Sequence, residues 1–200
     1  MNHLIAKSAR LRSTPYTKRI EEYGVQSYTV YNHMILPASF KGVEEDCLHL
    51  KNNVQVWDVS VERQVQFKGP DAAKLTQLIT CRDLSNAKDY LCYYAPIIDE
   101  KGKILNDPLI MKVGDDTWWL SIADSDILLY AKGITIGMNL DVEITEPNVN
   151  ILAVQGPKSF ELMQKIFGKT ILFLFKSILL KTIPVFGSEG HILIETSFPV

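Results

Sequence analysis

Alternation of apolar and polar residues predicts the strands of this chain. The segment VQSYTVYNHMILPASF (25–40) alternates and is rich in β-forming residues, so it predicts a strand that breaks at Pro37. The segment VQVWDVSVERQVQFKG (54–69) carries valine, tryptophan and phenylalanine largely at every second position, which predicts two successive strands. Residues 1–24 are polar, and we expect a loop there.

Apolar residues spaced three and four apart predict helices between these strands. In GVEEDCLHLKNN the apolar positions are Val43, Cys47 and Leu50, which form one face of a short helix. GPDAAKLTQLIT predicts a second helix, because proline is tolerated in a first turn and the two leucines share a face. SDILLYAKGITIG predicts a third helix, with Ser125 as a candidate N-cap and Gly133 near its end.

Two longer patterns indicate the fold class. The segment 90–123 predicts a meander of three strands, since its Asp-Glu-Lys-Gly and Gly-Asp-Asp runs are turn sequences. A unit of strand, Gly-Pro and helix occurs twice, as VQFKGPDAAKLTQLIT and LAVQGPKSFELMQKIF, and neither copy is a phosphate-binding loop. The repetition predicts two similar α+β halves.

Composition and charge exclude several classes of function. The 200 residues are 46% apolar and 22% charged, which is enough for a buried core, and the net charge of −2 gives no sign of a nucleic-acid partner. No stretch approaches about 18 consecutive apolar residues, so no membrane span is expected. The three cysteines and four histidines lack metal-ligand spacing, so we expect no metal site, and reduced thiols in a cytoplasmic protein.

Four segments together resemble the aminomethyltransferase family, which contains the glycine-cleavage T-protein. They are VWDVSVERQVQFKGPDAAKLTQLIT, YYAPIIDEKGKILNDPLI, WLSIADSDILL and LAVQGPK, in family order and spacing between residues 20 and 165. The resemblance implies an α+β, tetrahydrofolate-binding fold in which three domains form a cloverleaf around the folate. It also implies transfer of a one-carbon unit between a substrate and tetrahydrofolate.

Further details are similar to the dimethylsulfoniopropionate demethylase branch of this family. Val61-Glu62 follows Ser60 where the glycine-cleavage enzyme has His-Met, and Asn106-Asp107 stands where that enzyme has Asp-Asp. YTVYNHMILP and CYYAPI also look like this branch. The branch implies methyl transfer from the sulfonium of dimethylsulfoniopropionate to tetrahydrofolate, giving 5-methyltetrahydrofolate and methylmercaptopropionate.

The resemblance makes Asp107 the candidate catalytic residue, as the family carboxylate beside the folate. Methyl transfer moves positive charge from sulfur to the folate N5, where a fixed carboxylate stabilises it and can also take the proton. Asn106 is expected to orient Asp107 or the folate. Asn, Asp and Pro are also the residues of an ordinary turn, so a solvated carboxylate stays the alternative at this position.

The other candidate site residues are implied by the same resemblance. Tyr94 matches a tyrosine of the folate pocket, where it would stack on or hydrogen-bond to the folate or the sulfonium, and the alternative is a core aromatic. Ser121 and Ser125 match a segment that lines the folate site. Tyr31 and Met34 lie where the family places its substrate-side loop, and the implied chemistry requires no metal.

The resemblance also predicts which part of the fold this chain holds. We expect a discontinuous, incomplete first domain from residues 1–50 and 146–200, a second domain from residues 51–145, and no third domain. After KTIPV the family has a segment that supplies an arginine and a glutamate for folate, whereas FGSEGHILIETSFPV stands here. We therefore expect a truncated or frame-shifted copy of a longer enzyme.

Alternative functions stay open. A glycine-cleavage-type aminomethyltransferase is disfavoured by the residues after Ser60 and by Asn106. A folate-binding module without catalysis and an inactive fragment are the alternatives from other classes. The expected partners are a small sulfonium substrate and folate, without nucleic acid or membrane, and a homodimer is left open.

Overall fold

The computed structural model describes residues 5, 8–168, 179–182 and 191–194, with side-chain environments up to residue 168. The chain divides into two compact units, the first of Met1–Val61 with Asn150–Val200 and the second of Glu62–Val149. The domain boundaries expected from the sequence, 1–50 with 146–200 and 51–145, and the absence of a third domain stay predictions.

The described elements alternate short strands with short helices. The chain begins with α1 (Thr17–Glu22), β1 (Ser27–Tyr31), β2 (Met34–Ser39), α2 (Val43–Asn52), β3 (Gln55–Asp58), β4 (Gln64–Lys68) and α3 (Ala72–Ile79). It continues with β5 (Cys92–Tyr94), β6 (Ile97–Ile98), β7 (Ile104–Asn106), β8 (Leu109–Gly114), β9 (Thr117–Ser121) and α4 (Ile127–Gly137). The last elements are β10 (Glu143–Thr145), β11 (Leu152–Gln155), α5 (Ser159–Phe167), β12 (Leu179–Thr182) and β13 (His191–Ile194).

The first unit contains a hairpin where the sequence predicts one strand broken by proline. Strands β1 and β2 pair antiparallel, and both turn residues between them, Asn32 and His33, have positive φ angles of 49° and 62°. Positive φ at both positions is the requirement of a two-residue hairpin turn, which asparagine tolerates. Pro37 lies inside β2, and the two-stranded sheet leaves an edge where its missing N–H is tolerated.

Helix α1 corrects the prediction of a loop over residues 1–24. Its first turn is held by contacts that a local pattern does not show. Thr14 and Thr17 are buried, the Thr14 amide donates to the Thr17 hydroxyl at 2.9 Å, and the Thr14 hydroxyl donates to the buried Asp58 carboxylate. Asp58 is 44 residues further along the chain, so tertiary structure fixes this segment.

Helix α2 is present as predicted, but the predicted apolar face does not hold the helix in place. Val43 and Cys47 are exposed. The helix is instead tied down by Asp46, whose carboxylate accepts the amide hydrogens of Phe40 at 2.9 Å and Lys41 at 3.3 Å. The Phe40 hydrogen bond is the main cause that lowers the pKa of Asp46.

The second unit is built on a five-stranded antiparallel sheet in the order β10-β4-β9-β8-β5. Helices α3 and α4 supply buried residues to the core on one face of this sheet, including Leu75, Ile79, Ile127 and Ala131. The predicted meander is interrupted, because β6 and β7 form a separate two-stranded ribbon. Proline follows β5 and precedes β8, and a residue without an N–H ends a ladder at both points.

The repeated unit of strand, Gly-Pro and helix occurs once in each unit of the structure, as β4 with α3 and as β11 with α5. Gly69 and Gly156 have φ angles of 139° and 116°. A Cβ on Gly69 would lie 2.6 Å from the carbonyl oxygen of Asp141, and one on Gly156 would overlap the carbonyl oxygen of Asn53. Both glycines are therefore required by close approach of another backbone segment.

Candidate functional site

The candidate site lies along one row of residues that pair across neighbouring strands of the second unit. Tyr94 pairs with Leu109, Leu109 pairs with Ser121, and Ser121 pairs with Gln64. Their neighbours along the strands belong to the core packed by the helices. Because side chains alternate between the two faces of a sheet, this row projects from the face opposite that core.

The structure brings Tyr94 and Asp107 into contact. The Tyr94 hydroxyl donates to Oδ2 of Asp107 at 3.3 Å, which is long for a hydrogen bond between two oxygen atoms. The contact follows from the strand register. Tyr94 pairs with Leu109, and Asp107 lies two residues before Leu109. Asp107 is exposed between the buried Asn106 and Pro108, and Tyr94 is 50% exposed, so both polar groups are accessible.

The electrostatics of this pair keep the phenol protonated. Partial desolvation raises the pKa of Tyr94, and the charge of Asp107 and the hydrogen bond to it raise that pKa further. The tyrosine therefore stays a hydrogen-bond donor, and the carboxylate keeps its remaining lone pairs for a ligand.

Asn106 and Ser125 lie together behind the pair. The Asn106 amide donates to the carbonyl of Ala123 at 3.0 Å and to the Ser125 hydroxyl at 2.7 Å, and it accepts the Ala123 N–H at 3.0 Å. The Ser125 hydroxyl donates in turn to the carbonyl of Leu105 at 2.8 Å. These two side chains hold the loop after β9 against β7. Ser125 is not the N-cap of α4, since the Asp126 side chain accepts the capping hydrogen bond.

Ser121 is buried and contacts Gln64, a residue that the sequence did not indicate. The Gln64 amide nitrogen donates to the Ser121 hydroxyl at 2.9 Å and to the carbonyl of Glu62 at 2.9 Å. A carbonyl only accepts, so the nitrogen must face it, and Oε1 must point the other way. That oxygen is buried and has no hydrogen-bond partner in the described structure. A buried acceptor without a protein partner is uncommon and is free for a donor from water or a ligand.

Tyr31 and Met34 lie in the first unit, on the hairpin of β1 and β2. They are register partners on either side of the turn. Met34 is only 4% exposed, whereas Tyr31 is half-buried. The substrate-side role of both residues stays a prediction.

Two other classes of feature are absent from the described part of the chain. Its His, Cys, Asp and Glu residues form no group of three or more that could hold a metal ion. None of its helices has the length and apolar character needed to cross a membrane.

Comparison with known proteins finds a demethylase and an aminomethyltransferase among the relatives of this chain. Dimethylsulfoniopropionate demethylase DmdA of Ruegeria pomeroyi is 50% identical over 167 residues, which cover 84% of this chain and 46% of DmdA. A probable aminomethyltransferase of Pyrococcus abyssi is 30% identical over 163 residues, covering 76% of this chain and 39% of that protein. The chain therefore spans less than half the length of these relatives.

The fold is confirmed by a solved structure. The crystal structure of glycine cleavage system aminomethyltransferase T from Bartonella henselae matches with a TM-score of 0.67 and 18% identity, covering 78% of this chain and 43% of that one. At this identity the match establishes the α+β fold alone. The family model described as the GCVT N-terminal domain matches residues 16–198, past the point where the recognisable sequence motifs stop. The resemblance seen in the four segments is thus confirmed, and the chain belongs to the GCVT N-terminal domain family.

Proposed function

We propose that this chain belongs to a tetrahydrofolate-dependent demethylase that transfers a methyl group from dimethylsulfoniopropionate to tetrahydrofolate. The products are 5-methyltetrahydrofolate and methylmercaptopropionate. The observation that carries the proposal is the accessible Tyr94–Asp107 pair at the β5 edge of the five-stranded sheet, in a chain 50% identical to DmdA over 167 residues. The carboxylate is the group that this chemistry needs.

Tetrahydrofolate fits the polar groups of the cross-strand row. Its ring system carries several N–H donors, and the buried Oε1 of Gln64 is an acceptor without a partner. The Ser121 hydroxyl accepts from Gln64, which leaves its hydrogen to donate. Tyr94 adds an accessible ring and hydroxyl on the same row. We assign Tyr94 and Ser121 to folate binding, with Gln64 as an addition.

Asp107 is the proposed catalytic residue. Tetrahydrofolate supplies the N5 lone pair that takes the methyl group, while the electron pair of the broken carbon–sulfur bond stays on sulfur. The Asp107 carboxylate stabilises the positive charge that moves from sulfur to nitrogen, an effect worth about 2–4 kcal/mol for one preorganised group. It then accepts the N5 proton, directly or through water. Tyr94 holds the carboxylate in place by its hydrogen bond.

Asn106 and Ser125 support this carboxylate from behind. Their hydrogen bonds to Ala123 and Leu105 fix the backbone immediately before Asp107. An aspartate at position 106 could not donate to the Ala123 carbonyl and would bury a charge beside it. The site therefore favours the neutral residue, which argues against the Asp-Asp arrangement of the glycine-cleavage enzyme. We propose that both residues act on folate binding through this positioning.

Tyr31 and Met34 stay the proposed substrate-side residues. Tyr31 retains exposed surface, whereas Met34 is buried, so Tyr31 is the one able to contact a small sulfonium. The free cysteines Cys47, Cys81 and Cys92 support a reducing compartment, and we propose the cytoplasm. A homodimer is part of the same proposal.

Product analysis tests the proposal. The purified chain is incubated with dimethylsulfoniopropionate and tetrahydrofolate, and methylmercaptopropionate and 5-methyltetrahydrofolate are measured by mass spectrometry. Both products in equal amounts support the demethylase. Ammonia and methylenetetrahydrofolate, formed from an aminomethyl-loaded carrier, would instead support an aminomethyltransferase.

Thermal shift measurements separate the remaining alternatives, because a ligand that binds only the folded state raises its stability. A melting temperature that rises with tetrahydrofolate, without product, would support a folate-binding module. No product and no shift would indicate an inactive fragment. The inactive fragment is tested because the match covers only 46% of DmdA.

A further inference from the structure

The turn of the β1–β2 hairpin has an uncommon backbone, and the proposed chemistry gives that turn no role. Asn32 and His33 form the turn, with φ angles of 49° and 62°. Residues other than glycine adopt such angles seldom, and they keep them where the surrounding contacts impose them. Tyr31 and Met34, the proposed substrate-side residues, lie directly on either side of the turn. A contact that fixes the turn therefore also fixes the backbone from which these two side chains project.

The Asn32 side chain supplies such a contact. It is only 3% exposed, and its amide nitrogen donates to the backbone carbonyl of Val61 at 2.9 Å. Because a carbonyl only accepts, this partner also fixes which way the amide faces. The acceptor is 29 residues away along the chain and belongs to the same compact unit. The hydrogen bond therefore ties the hairpin turn to a segment outside the hairpin.

The segment that contains Val61 is itself anchored within the first unit. The Val59 amide donates to the carbonyl of Ile151 at 3.2 Å, and the Ser60 amide donates to the buried Asp58 carboxylate at 3.1 Å. Val61 is only 2% exposed. The hairpin turn is thus bonded to a point that other hydrogen bonds already hold in place.

The backbone of Arg12 holds the same turn through separate hydrogen bonds. Its N–H donates to the His33 carbonyl at 2.9 Å, and its carbonyl accepts the Ile35 N–H at 3.0 Å. These bonds join backbone atoms, so they do not depend on which side chain stands at position 32. The bond from the Asn32 amide to Val61, in contrast, is removed by a single substitution.

We propose that Asn32 is a positioning residue that holds Tyr31 in place for contact with the sulfonium substrate, an inference that rests on the proposed function. Tyr31 and Met34 are opposite each other in the register, so they project from the same face of the hairpin. Met34 is buried, whereas Tyr31 keeps part of its surface exposed. Without the bond to Val61 the turn loses one of its anchors, and Tyr31 loses the fixed position that binding of a small ligand requires.

Calorimetric titration of the whole chain with dimethylsulfoniopropionate and, separately, with tetrahydrofolate tests this role. Asn32→Gly removes the amide and suits the positive φ. Asn32→Asp keeps the size of the side chain, but its carboxylate has no hydrogen for the Val61 carbonyl. Asn139→Gly is the matched control, because Asn139 also has a positive φ, 50°, but is exposed and lies in the second unit. Melting curves identify any variant that does not fold, and Asn32→Asp keeps the test valid if Asn32→Gly unfolds.

We expect both Asn32 variants to weaken binding of dimethylsulfoniopropionate about tenfold, the order of magnitude for one hydrogen bond. Tetrahydrofolate should bind these variants as tightly as it binds the wild type, and Asn139→Gly should match the wild type for both ligands. Combining Asn32→Gly with Tyr31→Ala tests whether the effect acts through Tyr31. Tyr31→Ala alone should weaken substrate binding, and adding Asn32→Gly to it should cause no further loss.

Several outcomes would overturn the inference. Unchanged substrate affinity in the Asn32 variants, or in Tyr31→Ala, would show that the turn does not position a substrate contact. Equal losses for both ligands would show that Asn32 only stabilises the fold. Losses from Asn32→Gly and Tyr31→Ala that add independently would show that Asn32 does not act through Tyr31. In these cases wild-type binding leaves the proposed function standing, whereas a wild-type chain that does not bind dimethylsulfoniopropionate would overturn the proposed function together with the inference.

Discussion

Replacing Asn106 by aspartate tests the idea that the local hydrogen-bond geometry selects a neutral side chain. Asn106 is 3% exposed, and its amide donates to the Ala123 carbonyl and the Ser125 hydroxyl. An aspartate keeps the acceptor for the Ala123 N–H but has no hydrogen for the Ala123 carbonyl. The Ala123 carbonyl still accepts the Ser125 N–H at 2.8 Å, but the Ser125 hydroxyl has one hydrogen for two acceptors, the Leu105 carbonyl and the new carboxylate.

The expected cost follows from these contacts. Losing a hydrogen bond at a buried polar group costs about 1–3 kcal/mol, and burying a charge costs more. We therefore expect Asn106→Asp to lower the free energy of unfolding by about 2–4 kcal/mol at pH 7. That is a large fraction of the roughly 5–15 kcal/mol that stabilises a typical domain.

The pH dependence identifies the cause. Burial disfavours the charged form, so the pKa of an aspartate at position 106 is raised in the folded state above its unfolded value. The folded state then binds the proton more readily, and the variant's deficit shrinks as the pH falls from 7 towards 5. A protonated carboxyl also regains a hydrogen for the Ala123 carbonyl. Each unit of raised pKa is worth about 1.4 kcal/mol.

Urea unfolding followed by tryptophan fluorescence measures this difference at pH 7 and pH 5. Asn106→Ala is the matched control, since it loses the same hydrogen bonds without adding a titratable group. Its deficit relative to the wild type should be the same at both pH values. The reasoning fails if Asn106→Asp is as stable as the wild type, or if its deficit does not shrink at pH 5.

Further predictions concern the site and the Gly-Pro turn. Asp107→Asn should slow product formation about 100-fold or more, while the thermal shift with tetrahydrofolate is kept; unchanged turnover would remove Asp107 from catalysis. The raised folded-state pKa of Tyr94 predicts a stability contribution that is present below pH 10.0 and lost as the pH rises through the folded pKa. Comparing urea unfolding of Tyr94→Phe and the wild type at pH 8 and pH 11 checks this, and a difference that does not shrink would contradict it. Gly69→Ala should destabilise by more than about 1 kcal/mol, because its Cβ would meet the Asp141 carbonyl at a positive φ. Gly133→Ala, in open space on α4, should stabilise by about 0.5–1 kcal/mol, and similar unfolding midpoints for the two variants would refute the role of the close approach.

The candidate site shows which features local sequence patterns could predict and which they could not. Alternation and turn residues predicted neighbouring strands for Tyr94 and Asp107, and the family resemblance named each of them as a site residue. Their contact depends on the register of β5 against β8, which pairs Tyr94 with Leu109. Register is a property of two strands together, so the spacing of thirteen residues along the chain did not determine it.

Gln64 was not found from the sequence. A glutamine in an alternating strand is typical of a solvated face, but Gln64 is buried because β9 brings Ser121 against it from 57 residues away.

The sequence by itself determined most of the element types, the repeat of strand, Gly-Pro and helix, and the family. These properties depend on local periodicity, on turn residues, and on motifs whose order is preserved along the chain. Tertiary structure alone decided that α1 forms against Asp58 and that Gly69 must be glycine because Asp141 approaches it. It also decided that the Asn106 amide donates a hydrogen bond to Ala123 in the loop after β9. Each of these depends on a partner distant in sequence, whose position exists only after the chain has folded.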